Sequence, residues 1–106
     1  MKNTYTILCV DDDEDILLLL RHCFSKTPYN VLTAQSGDQA MEMMGNHRCD
    51  IVLLDYKMPE KNGIEVLREI KKTHPDTDVL MLTAFSDTSL VVKAIKHGAL
   101  DYILKP

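Results

Sequence analysis

The sequence has 106 residues, of which 45% are hydrophobic and 26% are charged, and its formal net charge at pH 7 is −4. This length and composition are typical of one globular domain. The negative charge argues against direct nucleic-acid binding by this chain, and no apolar run approaches the roughly 20 residues that a membrane-spanning helix requires.

The amino terminus and the cysteines indicate the compartment. The first residues lead directly into a short strand-like run, so we expect no signal peptide. Cys9, Cys23 and Cys49 are odd in number and well separated, with no Cys-x-x-Cys or Cys/His cluster. We therefore expect buried, reduced thiols in a cytoplasmic protein that does not associate with a membrane.

Strand-like and helix-like segments alternate along the whole chain. The run at residues 51–55 is continuously apolar up to Asp55, which is how a strand buried on both faces of a parallel sheet reads. Five strands are predicted in all, at residues 5–10, 31–34, 51–55, 79–83 and 99–104.

Capping residues predict where the helices begin. Ser36 with Gln39, and Asn62 with Glu65, have the spacing of a capping box. Apolar residues on more than one face of the first helix predict that it is largely buried. The four predicted helices cover residues 16–24, 36–44, 62–73 and 88–97, and the last has Ser86 and Asp87 before it and Gly98 after it.

This alternation predicts a five-stranded, doubly wound parallel α/β sheet with helices on both faces. The predicted fifth strand has no helix behind it, although such a sheet needs cover on both faces. We therefore expect residues 1–106 to be one domain that lacks its last helix, cut from a longer protein unless a partner supplies the cover.

Polar residues follow the predicted strands at one rim of the sheet, where open α/β sheets bind their ligands. On its own segment, Asp55 fits a strand-ending turn residue as well as a ligand-binding carboxylate. Asp13, Glu14 and Asp15 are best explained as an exposed helix cap. The remaining rim residues are Asp11, Asp12, Asp55, Thr83 and Lys105.

Carboxylates that converge in this way repel one another unless a cation is present. An all-oxygen set suits a hard ion such as Mg²⁺, which takes one or two carboxylates directly and keeps several waters. The hydroxyl of Thr83 and the ammonium of Lys105 would then face the cluster and stabilise a phosphoryl group in transit or attached to Asp55.

At these residues the chain resembles the receiver domain of two-component response regulators. The resemblance covers the whole chain, and the sequence around Gly98 and Thr83 is most similar to receivers of the nitrogen-regulator type. The motifs that carry it are Val10-Asp11-Asp12, Leu54-Asp55 followed by Met58-Pro59 and Gly63, Leu82-Thr83-Ala84, and Asp101-Tyr102-Ile103-Leu104-Lys105-Pro106.

The resemblance implies a flavodoxin-like fold and a role for each motif residue. Asp55 would accept a phosphoryl group from the phosphohistidine of a histidine kinase. Asp12, Asp55 and the backbone carbonyl of Lys57 would bind Mg²⁺, with Asp11 acting through water. Thr83 and Lys105 would contact the phosphoryl group.

The resemblance also implies a switch and its readers. Tyr102 would turn inward as Thr83 moves towards the phosphate, altering the face formed by the fourth helix and fifth strand. An output domain C-terminal to this segment, or a second copy in a phosphorylation-dependent homodimer, would read that face. We expect its exposed pattern to contribute to recognition: Thr88, Lys93, Lys96 and His97.

Two positions are expected to tune the lifetime of the phosphoryl group. Lys57, two residues after Asp55, and Phe85, two after Thr83, lie where the family varies and where an attacking water would approach. A long cationic chain and a bulky ring should hinder that water.

Three other functions fit parts of the pattern. A flavodoxin-like cofactor binder needs hydroxyls and amides after its first strand, where this chain has aspartates. A phosphate-ester hydrolase that forms an aspartyl phosphate would need an acid/base aspartate where this chain has Lys57. A receiver-like domain that signals without phosphorylation would not need a complete site. The sequence therefore favours a phosphorylation switch and not an enzyme.

Overall fold

The computed structural model describes residues 4–84 and 88–105. In these residues a single parallel sheet has the strand order β2-β1-β3-β4-β5, so the chain winds outwards in both directions from β1 and β3. The strands are β1 (Thr6–Val10), β2 (Asn30–Ala34), β3 (Ile51–Asp55), β4 (Asp78–Thr83) and β5 (Asp101–Leu104).

The described helices are α1 (Glu14–Cys23), α2 (Gly37–Asn46), α3 (Gly63–Thr73) and α4 (Thr88–Lys96). The first three begin at side-chain caps, which satisfy backbone N–H groups that have no partner within the helix. Asp13 accepts from Asp15, Ser36 from Gln39, and Asn62 from Glu65. The predicted cap of α4, Ser86 and Asp87, lies outside the described residues.

The sheet separates two hydrophobic clusters, because successive side chains of a strand point to opposite faces. The larger cluster combines alternate residues of β1, β3 and β4 with buried residues of α2, α3 and α4. The smaller one combines the other strand residues with Leu17 and Leu20 of α1. The predicted doubly wound architecture is confirmed, and β3 matches its predicted range of 51–55.

Three predictions about burial and boundaries were wrong. Only one stripe of α1 faces the sheet, since Leu18 and Leu19 are 63% and 40% exposed. Cys23, at the end of this helix, is also exposed, so only two of the three thiols are buried. Strand β5 begins at Asp101 and not at residue 99, because the Ala99 N–H still bonds to the Ala94 carbonyl at the end of α4.

In the described residues, the face that carries α1 has no second helix over β3, β4 and β5. An apolar cavity of about 340 Å³ lies there, and Tyr5 and Ile103 at its edge are 51% and 43% exposed. The sequence predicts that one face of the sheet has a helix too few, but it does not indicate which face. No helix within the described residues is long and apolar enough to cross a membrane.

Candidate metal and phosphoryl site

The register of the central strands brings Asp11 and Asp55 together. Val10 pairs with Leu54 across β1 and β3, so the next residue of each segment, Asp11 after β1 and Asp55 at the end of β3, emerges at the same point of the rim. The Asp11 N–H donates to the Ala34 carbonyl at 3.1 Å, which fixes the chain as it leaves β1. Both carboxylates are buried, with Asp11 0% and Asp55 3% exposed.

Asp12 adds a third carboxylate from the exposed side of the rim. One carboxylate oxygen from each of Asp11, Asp12 and Asp55 lies within 4.8 Å of the other two. Such a group of like charges is unfavourable by itself and favourable around a cation. The convergence predicted from the sequence is therefore present in the structure.

Lys105 supplies the one positive charge that contacts the two buried carboxylates in the described structure. Its Nζ lies 2.9 Å from Oδ2 of Asp11 and 3.0 Å from Oδ1 of Asp55. The backbone positions this side chain, because the Lys105 N–H donates to the Thr83 carbonyl at 2.8 Å. Lys105 therefore bridges the two aspartates, a contact with Asp11 that the sequence did not predict.

Burial is the main influence on ionisation at this site. It raises the pKa of Asp55 to about 6, with the Lys105 hydrogen bond opposing that effect and the Asp11 charge reinforcing it. Burial also lowers the pKa of Lys105, but its contacts with Asp11 and Asp55 together outweigh this and leave the pKa raised. The ammonium therefore stays protonated, whereas Asp55 is ionised at neutral pH at a substantial desolvation cost.

One carboxylate oxygen of Asp55 has no hydrogen-bond partner among the described residues. Asp55 Oδ2 is fully buried and receives no hydrogen bond. A buried charged oxygen left in this state is costly, and a cation is one way to satisfy it. The three carboxylates offer only oxygen atoms as metal ligands, and Asp55 Oδ2 has no hydrogen bond. This arrangement fits a hard divalent ion such as Mg²⁺.

Two adjoining cavities connect Asp55 to Thr83 and Tyr102. The first, of about 250 Å³, is lined in part by Asp55, Lys57, Thr83 and Lys105. The second is a hollow of about 20 Å³ lined in part by Thr83 and Tyr102. Thr83 therefore borders both, and Tyr102 lies half-buried at the edge of the sheet.

The other predicted residues have different positions. Lys57 is exposed in the loop after β3, and Phe85 lies outside the described residues. The Asp13 carboxylate accepts from the Asp15 N–H at 2.9 Å, as expected for a helix cap. Asp11 has a second role that the sequence did not suggest, because its Oδ1 accepts from the Asp13 N–H at 2.9 Å and orders this turn.

Comparison with known proteins agrees with this geometry. The family model described as the response regulator receiver domain matches residues 7–106. This chain belongs to the response regulator receiver domain family. As a receiver domain of two-component response regulators, it serves phosphorylation-dependent signalling, and receiver domains bind Mg²⁺ at an acidic pocket.

Relatives of this receiver domain include longer transcriptional regulators. The transcriptional regulatory protein ZraR of Escherichia coli is 44% identical over 100 residues, which cover 94% of this chain and 23% of that protein. The transcriptional regulatory protein CpxR of Klebsiella pneumoniae is 42% identical over 100 residues, covering 94% of this chain and 42% of that protein. The chain thus spans about a quarter to two-fifths of these relatives.

Solved structures share the fold closely. The chemotaxis protein CheY4 of Vibrio cholerae superposes with a TM-score of 0.92 at 27% identity, covering 97% of this chain and 88% of that chain. NtrX from Brucella abortus gives 0.91 at 33% identity, covering 97% of this chain and 24% of that chain. The sequence-based assignment to the receiver family is confirmed.

Proposed function

We propose that Asp55 is the phosphoacceptor of this receiver domain and takes its phosphoryl group from the phosphohistidine of a sensor histidine kinase. The observation that carries the proposal is the buried, partly unsatisfied Asp55 carboxylate beside Asp11, Asp12 and Lys105. A carboxylate oxygen attacks phosphorus, and the phosphorus–oxygen bond forms as the phosphorus–nitrogen bond to histidine breaks. The domain thereby acts as a switch and not as an enzyme with turnover.

In this proposal Asp12, Asp55 and the Lys57 backbone carbonyl would hold Mg²⁺, with Asp11 acting through water. The ion would supply positive charge beside the carboxylates and the phosphoryl oxygens. Lys105 shifts its ammonium from Asp55 to the phosphoryl oxygens, and the Thr83 hydroxyl donates to them. The 250 Å³ cavity that these side chains border is the proposed location of the phosphoryl group.

The direct test uses acetyl phosphate as the phosphodonor. The intact mass of the wild-type chain should rise by one phosphoryl group when Mg²⁺ is present, and should not rise in Asp55→Ala or when Mg²⁺ is omitted. An unchanged mass for the wild type would instead favour a receiver that signals by binding alone.

We propose that Thr83 and Tyr102 transmit the phosphorylated state. Phosphorylation adds about −1.5 to −2 charges at the rim, which draws Thr83 inward and frees space for Tyr102. Thr83 suits this role because it borders both the 250 Å³ cavity and the hollow beside Tyr102. Thr83→Ala should accept phosphate yet leave the environment of Tyr102 unchanged in NMR spectra, and a wild-type response would contradict the relay.

We propose that two partners recognise this change. One is an output domain C-terminal to the segment, and the other is a second copy of the chain. The side chains of Thr88, Lys93 and Lys96 on α4 are exposed, whereas that of His97, the residue after α4, is half-buried. Charge reversal in Lys93→Glu/Lys96→Glu should weaken dimerisation or output in the longer protein. Unchanged dimerisation together with unchanged output would exclude this surface.

The lifetime of the phosphoryl group is proposed to depend on Lys57 and Phe85. Both side chains should hinder the water that hydrolyses the phosphoaspartate. Lys57→Asn/Phe85→Glu should therefore lose its phosphoryl group faster than the wild type in a mass-spectrometric time course. Equal decay rates would mean that these two residues do not set the lifetime of the phosphoryl group.

We further propose that a helix from additional sequence or from a partner covers the face beside α1, so that residues 1–106 form most of one cytoplasmic receiver domain. The exposed apolar cavity bordered by Tyr5 and Ile103 supports this. The 106-residue chain should bind an apolar fluorescent dye more strongly than the longer protein does, and equal binding would contradict the proposal.

A further inference from the structure

The first turn of α3 lies directly against the backbone of the proposed phosphoacceptor. A Cβ added to Gly63 would collide with the carbonyl oxygen of Asp55, and would lie 2.8 Å from the Tyr56 Cα and 2.9 Å from the Met81 Cε. Real Cβ atoms do not approach neighbours this closely, and two of these three neighbours are backbone atoms that cannot rotate away. The contact therefore requires glycine at this position.

The three other glycines of the chain do not have this relationship to the site. A Cβ on Gly45 would meet nothing within 4 Å, and one on Gly37 would meet chiefly the end of the Val66 side chain at 2.5 Å. Gly98 is needed for its φ of +104°, at the opposite end of the sheet. Among these glycines, Gly63 alone has its closest neighbour in the backbone of a site residue.

A hydrogen bond closes the loop at the same point. The Gly63 N–H donates to the Tyr56 carbonyl at 2.7 Å, so the loop that leaves β3 returns to its own start. Lys57 lies inside this closed loop, one residue after Tyr56. The contact at Gly63 therefore fixes both the last residue of β3, which carries the Asp55 carboxylate, and the segment that presents the Lys57 carbonyl.

We infer that Gly63 is a positioning residue for Mg²⁺ binding and phosphoryl transfer, because it sets the Asp55 backbone and the Lys57 carbonyl at their working separation. The inference rests on the proposed function of Asp55. A side chain on Gly63 must move either the start of α3 or the end of β3. A misplacement of about 1 Å at a reacting group costs on the order of 100-fold in rate.

The test is Gly63→Ala, studied first with Mg²⁺ alone. A titration followed by the NMR amide signals of Asp12, Asp55 and Lys57 gives the dissociation constant of the folded protein directly. We expect that constant to rise at least about tenfold, and the rate of phosphorylation by acetyl phosphate to fall about 100-fold. Binding and phosphorylation within about twofold of the wild type would overturn the inference.

Two other glycine-to-alanine variants separate positioning from loss of stability. Gly98→Ala strains a residue with positive φ far from the rim, so its Tm should fall while its Mg²⁺ affinity stays unchanged. Gly45→Ala adds a methyl group in open space within α2 and should be at least as stable as the wild type. If Mg²⁺ affinity falls in Gly98→Ala as it does in Gly63→Ala, the effect is one of stability and the inference is wrong.

Two further outcomes are decisive. Gly63→Ala/Gly45→Ala should be folded at 10 °C by circular dichroism, and loss of the fold in this stabilised variant would also overturn the inference, which expects displacement within a folded domain. If the wild type itself neither binds Mg²⁺ nor gains a phosphoryl group, the proposed function fails first. If the wild type does both and Gly63→Ala matches it, only the positioning role fails.

Discussion

The two ends of the parallel sheet carry similar polar residues but satisfy them differently. At the amino end, the buried Thr77 hydroxyl donates to the Cys49 carbonyl at 3.0 Å, and the Asp50 carboxylate accepts from the Thr6 N–H at 2.8 Å. At the carboxyl end, one ammonium serves two buried carboxylates, and Asp55 Oδ2 has no partner within the described residues. These polar groups at the amino end therefore have hydrogen-bond partners, whereas the described carboxyl end has a buried charged oxygen without one.

Cavity volume alone would place the functional site at the amino end of the sheet. A polar groove of about 550 Å³ lies between the carboxyl-terminal ends of α2 and α3, whereas the cavity beside Asp55 measures about 250 Å³. Pro75 and Thr77 line the larger groove, and their carbonyls accept hydrogen bonds from Lys71 Nζ, both at 2.9 Å, which tie α3 to the turn before β4. The incompletely satisfied buried charge is thus a better indicator of function than the size of the groove.

The largest effect is expected from removing the shared cation of the carboxyl end. Lys105→Met leaves Asp11 and Asp55 buried without a positive partner, which should lower the free energy of unfolding at pH 7 by about 3 kcal/mol. Saturating Mg²⁺ should restore more than half of this loss, because the ion supplies the missing charge. Urea denaturation with and without Mg²⁺ measures both quantities.

Lys61 provides the matched control for that experiment. Its Nζ also contacts two carboxylates, at 3.0 Å to Asp38 and 3.4 Å to Glu69, but the Asp38 side chain is exposed and that of Glu69 is only partly buried. Lys61→Met should therefore cost much less stability than Lys105→Met and show no Mg²⁺ rescue. Equal losses of unfolding free energy in the two variants would mean that the buried rim carboxylates need their positive partner no more than the carboxylates around Lys61 do.

A smaller effect is expected at the amino end. Thr77→Val keeps the shape of the side chain but removes the buried hydroxyl that donates to the Cys49 carbonyl, so the free energy of unfolding should fall by about 1–2 kcal/mol. Its response to Mg²⁺ should equal that of the wild type. Thr73→Val, which removes an exposed hydroxyl nearby, should change stability by less than about 0.5 kcal/mol. If Thr77→Val changed the response to Mg²⁺, the two ends of the sheet would be energetically coupled and not independent.

The smallest effect is expected for the chemical labelling of the cysteine thiols. The thiol of Cys9 reports on the packing of the sheet interior between the two ends. Burial raises the pKa of Cys9 to about 11, against a usual 9.0, while the Arg21 charge partly opposes this. At pH 8 its reactive thiolate is therefore scarcer by about 100-fold than that of an ordinary thiol. Iodoacetamide should label Cys23 in the folded protein and should reach Cys9 and Cys49 only after unfolding. Rapid labelling of Cys9 under native conditions would contradict the tight packing of β1.

The sequence predicted which side chains meet at the rim, because the carboxyl ends of all strands in a parallel sheet lie at one edge. The apolar run before Asp55 located β3 correctly, and the approach of Asp11, Asp12 and Lys105 to Asp55 followed from the strand alternation. The exposure of Leu18 could not be predicted, because apolar residues on several faces of a helix do not reveal which face has a partner.

The finer contacts also required the structure. The bridge from Lys105 to Asp11 depends on where a long side chain ends after β5 has paired with β4. The role of Gly63 depends on interatomic distances of a few tenths of an ångström between α3 and β3. Sequence patterns specify the elements and their order, but such distances arise only once the elements are packed.

The most direct test of the carboxyl-end account is to locate the phosphoryl group on the wild-type chain. After treatment with acetyl phosphate and Mg²⁺, peptide mass spectrometry should find a single phosphoryl group, on Asp55. A phosphoryl group on Asp11, Asp12 or a histidine, or an unmodified chain, would contradict the assignment of Asp55 as the acceptor.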